Sequence, residues 1–161
     1  MSGGTGAVND CLLPTGNPSP RLEGRRGACT AFRWERVRVR EYQSLPESVP
    51  RARRDARHVL GQWGLSAIAA DAELALSELL SNAVRASAAL PSRPDVRVRL
   101  LADPGQLILE VFDRADGTPK MKSPALDELS GRGLATVAAL AHRWDWTRHQ
   151  DGKIVWCDFW L

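Results

Sequence analysis

The chain has 161 residues, 43% of them hydrophobic and 25% charged, with a net charge of +3. Such a chain can bury a core without staples, and no run approaches the roughly 18 apolar residues that a membrane span needs. Cys11, Cys29 and Cys157 are odd in number and widely spaced, which excludes a disulfide framework or a zinc site. The first residues lack a basic-then-apolar leader pattern, so a cytoplasmic protein is expected, with no membrane partner.

Residues 1–27 are rich in Gly, Pro, Ser and Asn and read as a disordered tail, with the folded domain occupying 28–161. Ala31 to Tyr42 reads as a first strand. Phe32 and Trp34 fall on one phase and Val37 and Val39 on the other, which predicts a bulge near Glu35 and Arg36. Arginines crowd this region, from Arg33 through Arg40 and again from Arg51 to Arg57. We read them first as a solvated face and second as a surface for an acidic protein. Nucleic acid ranks last, because no nucleic-acid motif accompanies the charge.

Leu45-Pro-Glu-Ser-Val-Pro50 predicts a helix start, with Ser48 or Val49 at the cap and Pro50 in the first turn. Ala52, Ala56, Val59, Leu60 and Trp63 form its apolar stripe, and Gly64 suits the left-handed position that ends it. Ser66 is placed to cap the next helix, which runs to about Ala88 before Pro91 and Pro94. On that helix Leu76, Leu79, Leu80, Ala83 and Val84 form a buried stripe. Glu78 and Asn82 project one turn apart from its edge. Alone, that pair reads as a solvated face. The same two groups can also accept a proton and ligate a hard cation.

Two alternating strands follow, Val96 to Leu100 and Leu107 to Asp113, joined by the turn Asp103-Pro-Gly-Gln106. Asp113 falls on the phase that has just been apolar, where a carboxylate is out of place unless it starts a turn or does chemistry. Arg114 to Ser130 is a long irregular connection with one short helical turn expected around Ala125 to Leu129. Gly131-Arg132-Gly133-Leu134 closes it and opens a helix, whose backbone amides are suited to an anion. The chain ends in a hairpin turning at Asp151-Gly152, carrying Trp144, Trp146, Trp156 and Trp160 as sheet-covering bulk. The element order predicts an α+β two-layer sandwich, with a mixed, mostly antiparallel sheet covered on one face by helices.

Glu78-x-x-x-Asn82, then Asp113 and Gly117, then Gly131-x-Gly133 resembles, in that order, the ATP-binding fold of the GHKL superfamily. The stretch from about Leu45 to Leu161 is most similar to bacterial anti-sigma-factor serine/threonine kinases, on Glu78-Leu-Leu-Ser-Asn-Ala-Val84, Gly131-Arg-Gly-Leu134 and Gly152-Lys-Ile-Val-Trp156. The resemblance implies ATP and Mg²⁺ as cofactors. It casts Glu78 as the catalytic base, Asn82 as the Mg²⁺ ligand, and Asp113 as acceptor for the adenine amino group. Gly117 would pass close to the base, and Gly131 and Gly133 would present amides to the phosphates. Arg132, Lys120 and Lys122 would add charge over them, and Leu134 completes the motif. Implied partners are a sigma factor and an antagonist protein phosphorylated on Ser or Thr. Similar anti-sigma factors form homodimers, and the strand from Ala31 is available to pair across one.

The sequence departs from the family pattern at three places. Ala115 replaces a usual glycine, Ala86 stands where a histidine is frequent, and Ile154 takes the place of a hydroxyl near the last motif. These departures support an alternative reading as a non-catalytic protein-binding module that keeps the fold.

Overall fold

The computed structural model describes residues 34–119 and 133–161. The expectations for the tail, Phe32, the helical turn at 125–129, Lys120, Lys122, Gly131 and Arg132 lie outside these residues. In chain order the elements are β1 (Arg36–Tyr42), α1 (Ser48–Gln62), a 3₁₀ turn (Ser66–Ile68), α2 (Ala69–Ala88), β2 (Val96–Asp103) and β3 (Gln106–Asp113). They continue with α3 (Gly133–Leu140), β4 (Arg143–His149) and β5 (Gly152–Trp160).

The strands form one five-stranded sheet in the order β1-β2-β3-β5-β4. All four pairings are antiparallel, so the predicted two-layer α+β sandwich holds and its sheet has no parallel pair among the described residues. β1 pairs with β2 in unbroken register from Arg36 to Tyr42, with no bulge inside those bounds.

Local chemistry explains most element ends. Pro50 lies in the first turn of α1, where its missing N–H leaves no intrahelical bond unmade. Glu47, rather than Ser48 or Val49, occupies the N-cap, without a side-chain cap bond. At the other end Gly64 takes φ +74. Leu65 N donates to Leu60 O at 2.8 Å and Gly64 N to Gly61 O at 3.1 Å, the paired bonds of a Schellman motif. Ser66 does not cap α2. It opens the 3₁₀ turn, and Ile68 stands at the α2 N-cap with no side-chain bond. Between β2 and β3, Asp103 Oδ1 accepts from Gly105 N at 2.9 Å and fixes the predicted turn.

α2 lies between α1 and α3 and packs on the middle of the sheet. Its predicted stripe, Leu76, Leu79, Leu80, Ala83 and Val84, is buried throughout. Across from it sit Val98, Leu100, Leu107, Leu109, Val111, Val155 and Cys157, with Trp144 and Trp146 packed at the margin. Full burial of one such leucine is worth about 1.5–3 kcal/mol, so this layer holds α2 and its polar edge in place. Two polar ties reinforce it. Arg57 of α1 donates 2.7 Å hydrogen bonds to both oxygens of the buried Glu73 of α2. Tyr42 Oη donates to Asp55 Oδ2 at 2.9 Å, and burial, with Asp55 beside it, pushes the phenol well above its ordinary value.

The sheet's second face carries a groove between Val37, Val39, Arg97, Arg99, Glu110 and Phe112. Trp156 also belongs to this face, under the Arg143 guanidinium at 5.3 Å, and Trp160 is half exposed. The four tryptophans of the last hairpin thus divide between the two faces.

Candidate functional site

The packing of α2 sets the first half of the site. With its apolar stripe held against the sheet, Glu78 and Asn82 are left half-buried on one edge. The start of α3 is pressed against that edge. A Cβ on Gly133 would lie 2.7 Å from Glu78 Oε2 and 3.3 Å from Asn82 Nδ2. Both nearest atoms are ends of flexible side chains that can shift to admit a methyl, so the contact shows that the helix start meets the Glu–Asn pair directly. Asn82 Oδ1 accepts from the Arg85 guanidinium at 2.6 Å.

A cavity of about 430 Å³ opens beside these residues. Asn82, Ala83 and Arg85 of α2 form one wall, and Gly117, Thr118, Pro119, Gly133 and Leu134 another; Val111, Asp113, Lys153 and Val155 form the sheet side. Ligand pockets commonly have about 300–1,000 Å³ and a few convergent polar groups among apolar walls, as here.

The polar end of the sheet side is built by register. β3 and β5 pair so that Asp113 stands opposite Lys153. Lys153 Nζ donates to Asp113 Oδ1 at 2.7 Å and to Ala115 O at 2.8 Å. Ala115 N donates to the same Oδ1 at 2.9 Å. Asp113 is 1% exposed and Lys153 9%. Burial pushes the Asp113 carboxyl above its ordinary value, while Lys153 and the Ala115 N–H pull it back part of the way. The departure at Ala115 costs no backbone strain, because among the described residues only Arg93 is a non-glycine at positive φ. Its side chain is buried and its backbone clamps the ion pair from both sides.

Gly117 lines the cavity at φ +114 with no heavy atom within 4 Å of a notional Cβ. What glycine supplies at this position is a conformation that L side chains rarely adopt. Leu134 is buried at the same wall. The structure thus brings Asn82, Asp113, Gly117, Gly133 and Leu134 to one cavity, with Glu78 against Gly133; Gly131 and Arg132 lie outside the described residues.

One expectation needs correction. Ile154, read as the replacement for the hydroxyl, points to the opposite face and lines the groove there; Lys153 is the residue that enters the site. Sequence reading passed over Lys153 and Arg85. Lys153 carried a signal: it shares the phase of Val155 and Cys157, as Asp113 shares the phase of Val111. Opposite charges on the buried phases of neighbouring strands point to a pair.

Chemically, the cavity joins two kinds of recognition. At α2 and α3, a carboxylate that can accept a proton and an amide oxygen that can ligate a hard cation meet a helix start that favours anions. At the sheet, a buried carboxylate and ammonium present an acceptor and a donor side by side. A phosphorylated ligand with a polar-edged ring matches that sequence of groups.

The chain matches the histidine kinase-like ATPase domain over residues 42–159, most of its length, and it belongs to that family. Its architecture is thus a GHKL-type ATP-binding fold. Among solved structures it is similar to the histidine kinase domain of the Erythrobacter litoralis EL346 blue-light activated histidine kinase. The identity is 23% and the TM-score 0.43, covering 83% of this chain and 65% of that one. The chain thus spans under two thirds of that structure. No curated protein matches it. Among the described residues no helix is long and apolar enough to cross a membrane.

Proposed function

We propose that this domain binds ATP with Mg²⁺ and transfers the γ-phosphoryl group to a serine or threonine of an antagonist protein, while sequestering a sigma factor. The observation that carries the reading is that Glu78 meets Gly133, which with Asn82 lines one end of a cavity that has the buried Asp113 on its sheet side. A nucleotide suits this donor set. Asp113 offers a buried acceptor for an exocyclic amino group, and the start of α3 at Gly133 offers backbone amides to phosphates. Asn82 offers one amide oxygen, enough for a cation that usually keeps several waters and takes one or two protein ligands. When bound, Mg²⁺ neutralises charge on the transferring phosphate.

In this reading Glu78 orients the attacking hydroxyl and accepts its proton. Arg85 holds the Asn82 amide oriented and yields Oδ1 when the cation enters. Leu79, Val111 and Val155 supply the apolar walls against which a base lies. The sigma-factor and antagonist assignments, and localisation in the cytoplasm, rest on the sequence resemblance and belong to the proposal.

Calorimetric titration with ATP and Mg²⁺ tests the binding step, with micromolar affinity expected and abolished by Asp113→Ala. Phosphate transfer to a cognate antagonist from radiolabelled ATP tests the chemistry; it should disappear in Glu78→Ala. Equal transfer by both proteins would remove Glu78 from its role. A correctly folded chain that binds no ATP would favour the non-catalytic module.

A further inference from the structure

We propose that Lys153 is a base-reading residue, which forms with Asp113 a fixed acceptor–donor pair matching the adjacent amino group and ring nitrogen of adenine's edge. The inference rests on the nucleotide reading above and deepens it.

Three observations carry it. First, Lys153 lines the same cavity as Asp113, and its ammonium sits 2.7 Å from Asp113 Oδ1. A base edge brought to one therefore meets the other. Second, the pair is fixed in polarity. Ala115 N and Lys153 both donate to Oδ1, and Ala115 O accepts from the ammonium. Those bonds leave Oδ2 as the acceptor and the third ammonium N–H as the donor. An ammonium has three donors and no acceptor, so it cannot reverse its role. Third, both residues are anchored in one antiparallel register at the β3–β5 pair, and a side chain so held loses little freedom when a ligand arrives.

Adenine presents an amino donor, N6, beside an unprotonated ring acceptor, N1. With N6 on Asp113, N1 falls to the ammonium. The contact is charge-assisted and buried, a class of hydrogen bond worth about 1.5–3 kcal/mol, or roughly tenfold or more in affinity. Lys153 thus does directly what a neutral hydroxyl at this end of a pocket could do only as a weaker donor.

The test uses a ligand that lacks only the N1 acceptor. Full-length protein is titrated calorimetrically with ATP and with 1-deaza-ATP, each with Mg²⁺, and the same pair is run on Lys153→Met. The wild type should bind 1-deaza-ATP about tenfold or more weakly than ATP, and Lys153→Met should bring that ratio to about one. Equal binding of the two ligands by the wild type would overturn the proposal while leaving the nucleotide reading intact. So would a ratio that survives in Lys153→Met. Failure of the wild type to bind ATP at all would overturn both. The wild-type comparison needs no variant, so poor folding of Lys153→Met does not shield the proposal.

Discussion

Gly152→Ala should be the most damaging glycine substitution in the described chain, and its cost can be worked from geometry. A Cβ there would stand 2.0 Å from Asp113 O, 2.8 Å from Arg114 Cα and 2.9 Å from Asp113 C. All three are backbone atoms of the neighbouring strand and its exit, so no side chain can rotate away. Relief requires β5 to back off from β3 at the Asp113–Lys153 end. Overpacking of this kind costs about 1–3 kcal/mol. A weakened ladder bond adds about 1 kcal/mol, and φ +156, which L residues rarely adopt, adds about 1 kcal/mol more. The expected loss is about 3–5 kcal/mol, a large part of the about 5–15 kcal/mol typical of a whole domain. Urea denaturation followed by far-ultraviolet circular dichroism measures it. Gly61→Ala serves as the control: its Cβ would meet nothing within 4 Å near the end of α1, so it should be neutral or stabilise by up to about 1 kcal/mol. A Gly152→Ala loss below about 1 kcal/mol, or equal to that of the control, would refute the close-approach argument.

Two further predictions concern single groups. Gly133→Ala places its Cβ against the mobile end of Glu78, so a carboxylate must shift while the first turn of α3 gains helix propensity. Stability should stay within about 1 kcal/mol of wild type, yet on the proposed kinase reading phosphoryl transfer should fall about tenfold or more, since small misplacements of a reacting group are costly; parallel melts and transfer assays check both halves. Glu110 on the second face is pushed above its ordinary value by burial, with Arg99 at 3.2 Å only partly offsetting it. A carboxyl raised in the folded state binds protons more tightly there than in the unfolded chain. Its contribution is therefore most favourable below the ordinary 4.5 and is lost as pH rises through the folded value. Glu110→Gln should accordingly gain on wild type in Tm as pH climbs from about 4 to 8. A difference that is flat or shrinks with pH would oppose the assignment.

The parts of this fold legible in the sequence are those set by local periodicity. The α2 stripe from Leu76 to Val84 is a helical pattern, and it left Glu78 and Asn82 on an edge before any tertiary contact was known. Asp113 stood out because it broke a period-two run. Gly64 and Asp103-Pro-Gly105 announced their turns by residue type. Pairing between distant segments was not legible. That β5 inserts beside β3 with β4 outside it depends on a contact closed across the whole connection and α3, for which no local signal exists. The Ile154 reading failed for the same reason. One residue of offset in a strand exchanges its faces; the shared phase of Lys153, Val155 and Cys157 points to the buried side, and the register with β3 places 153 rather than 154 at the cavity.

The Asp151-Gly152-Lys153 corner therefore does three things at once, and they depend on one another. The turn reverses the chain at His149 and Gly152, which pair across β4 and β5. The absent side chain at 152 lets β5 close on the Asp113 carbonyl, and that closeness brings the Lys153 ammonium within 2.7 Å of Oδ1. Removing one member of a buried pair typically costs about 3–5 kcal/mol, because the other charge is left without a partner. Asp113 and Lys153 are thus a single unit in energy as well as in geometry. A lysine at 153 constrains what stands at 113, and the glycine before it makes the constraint possible. The departures that seemed to weaken the ligand-facing end of the cavity, at Ala115 and at the missing hydroxyl, are both absorbed here: the backbone of Ala115 grips the pair, and the ammonium takes the position toward the cavity.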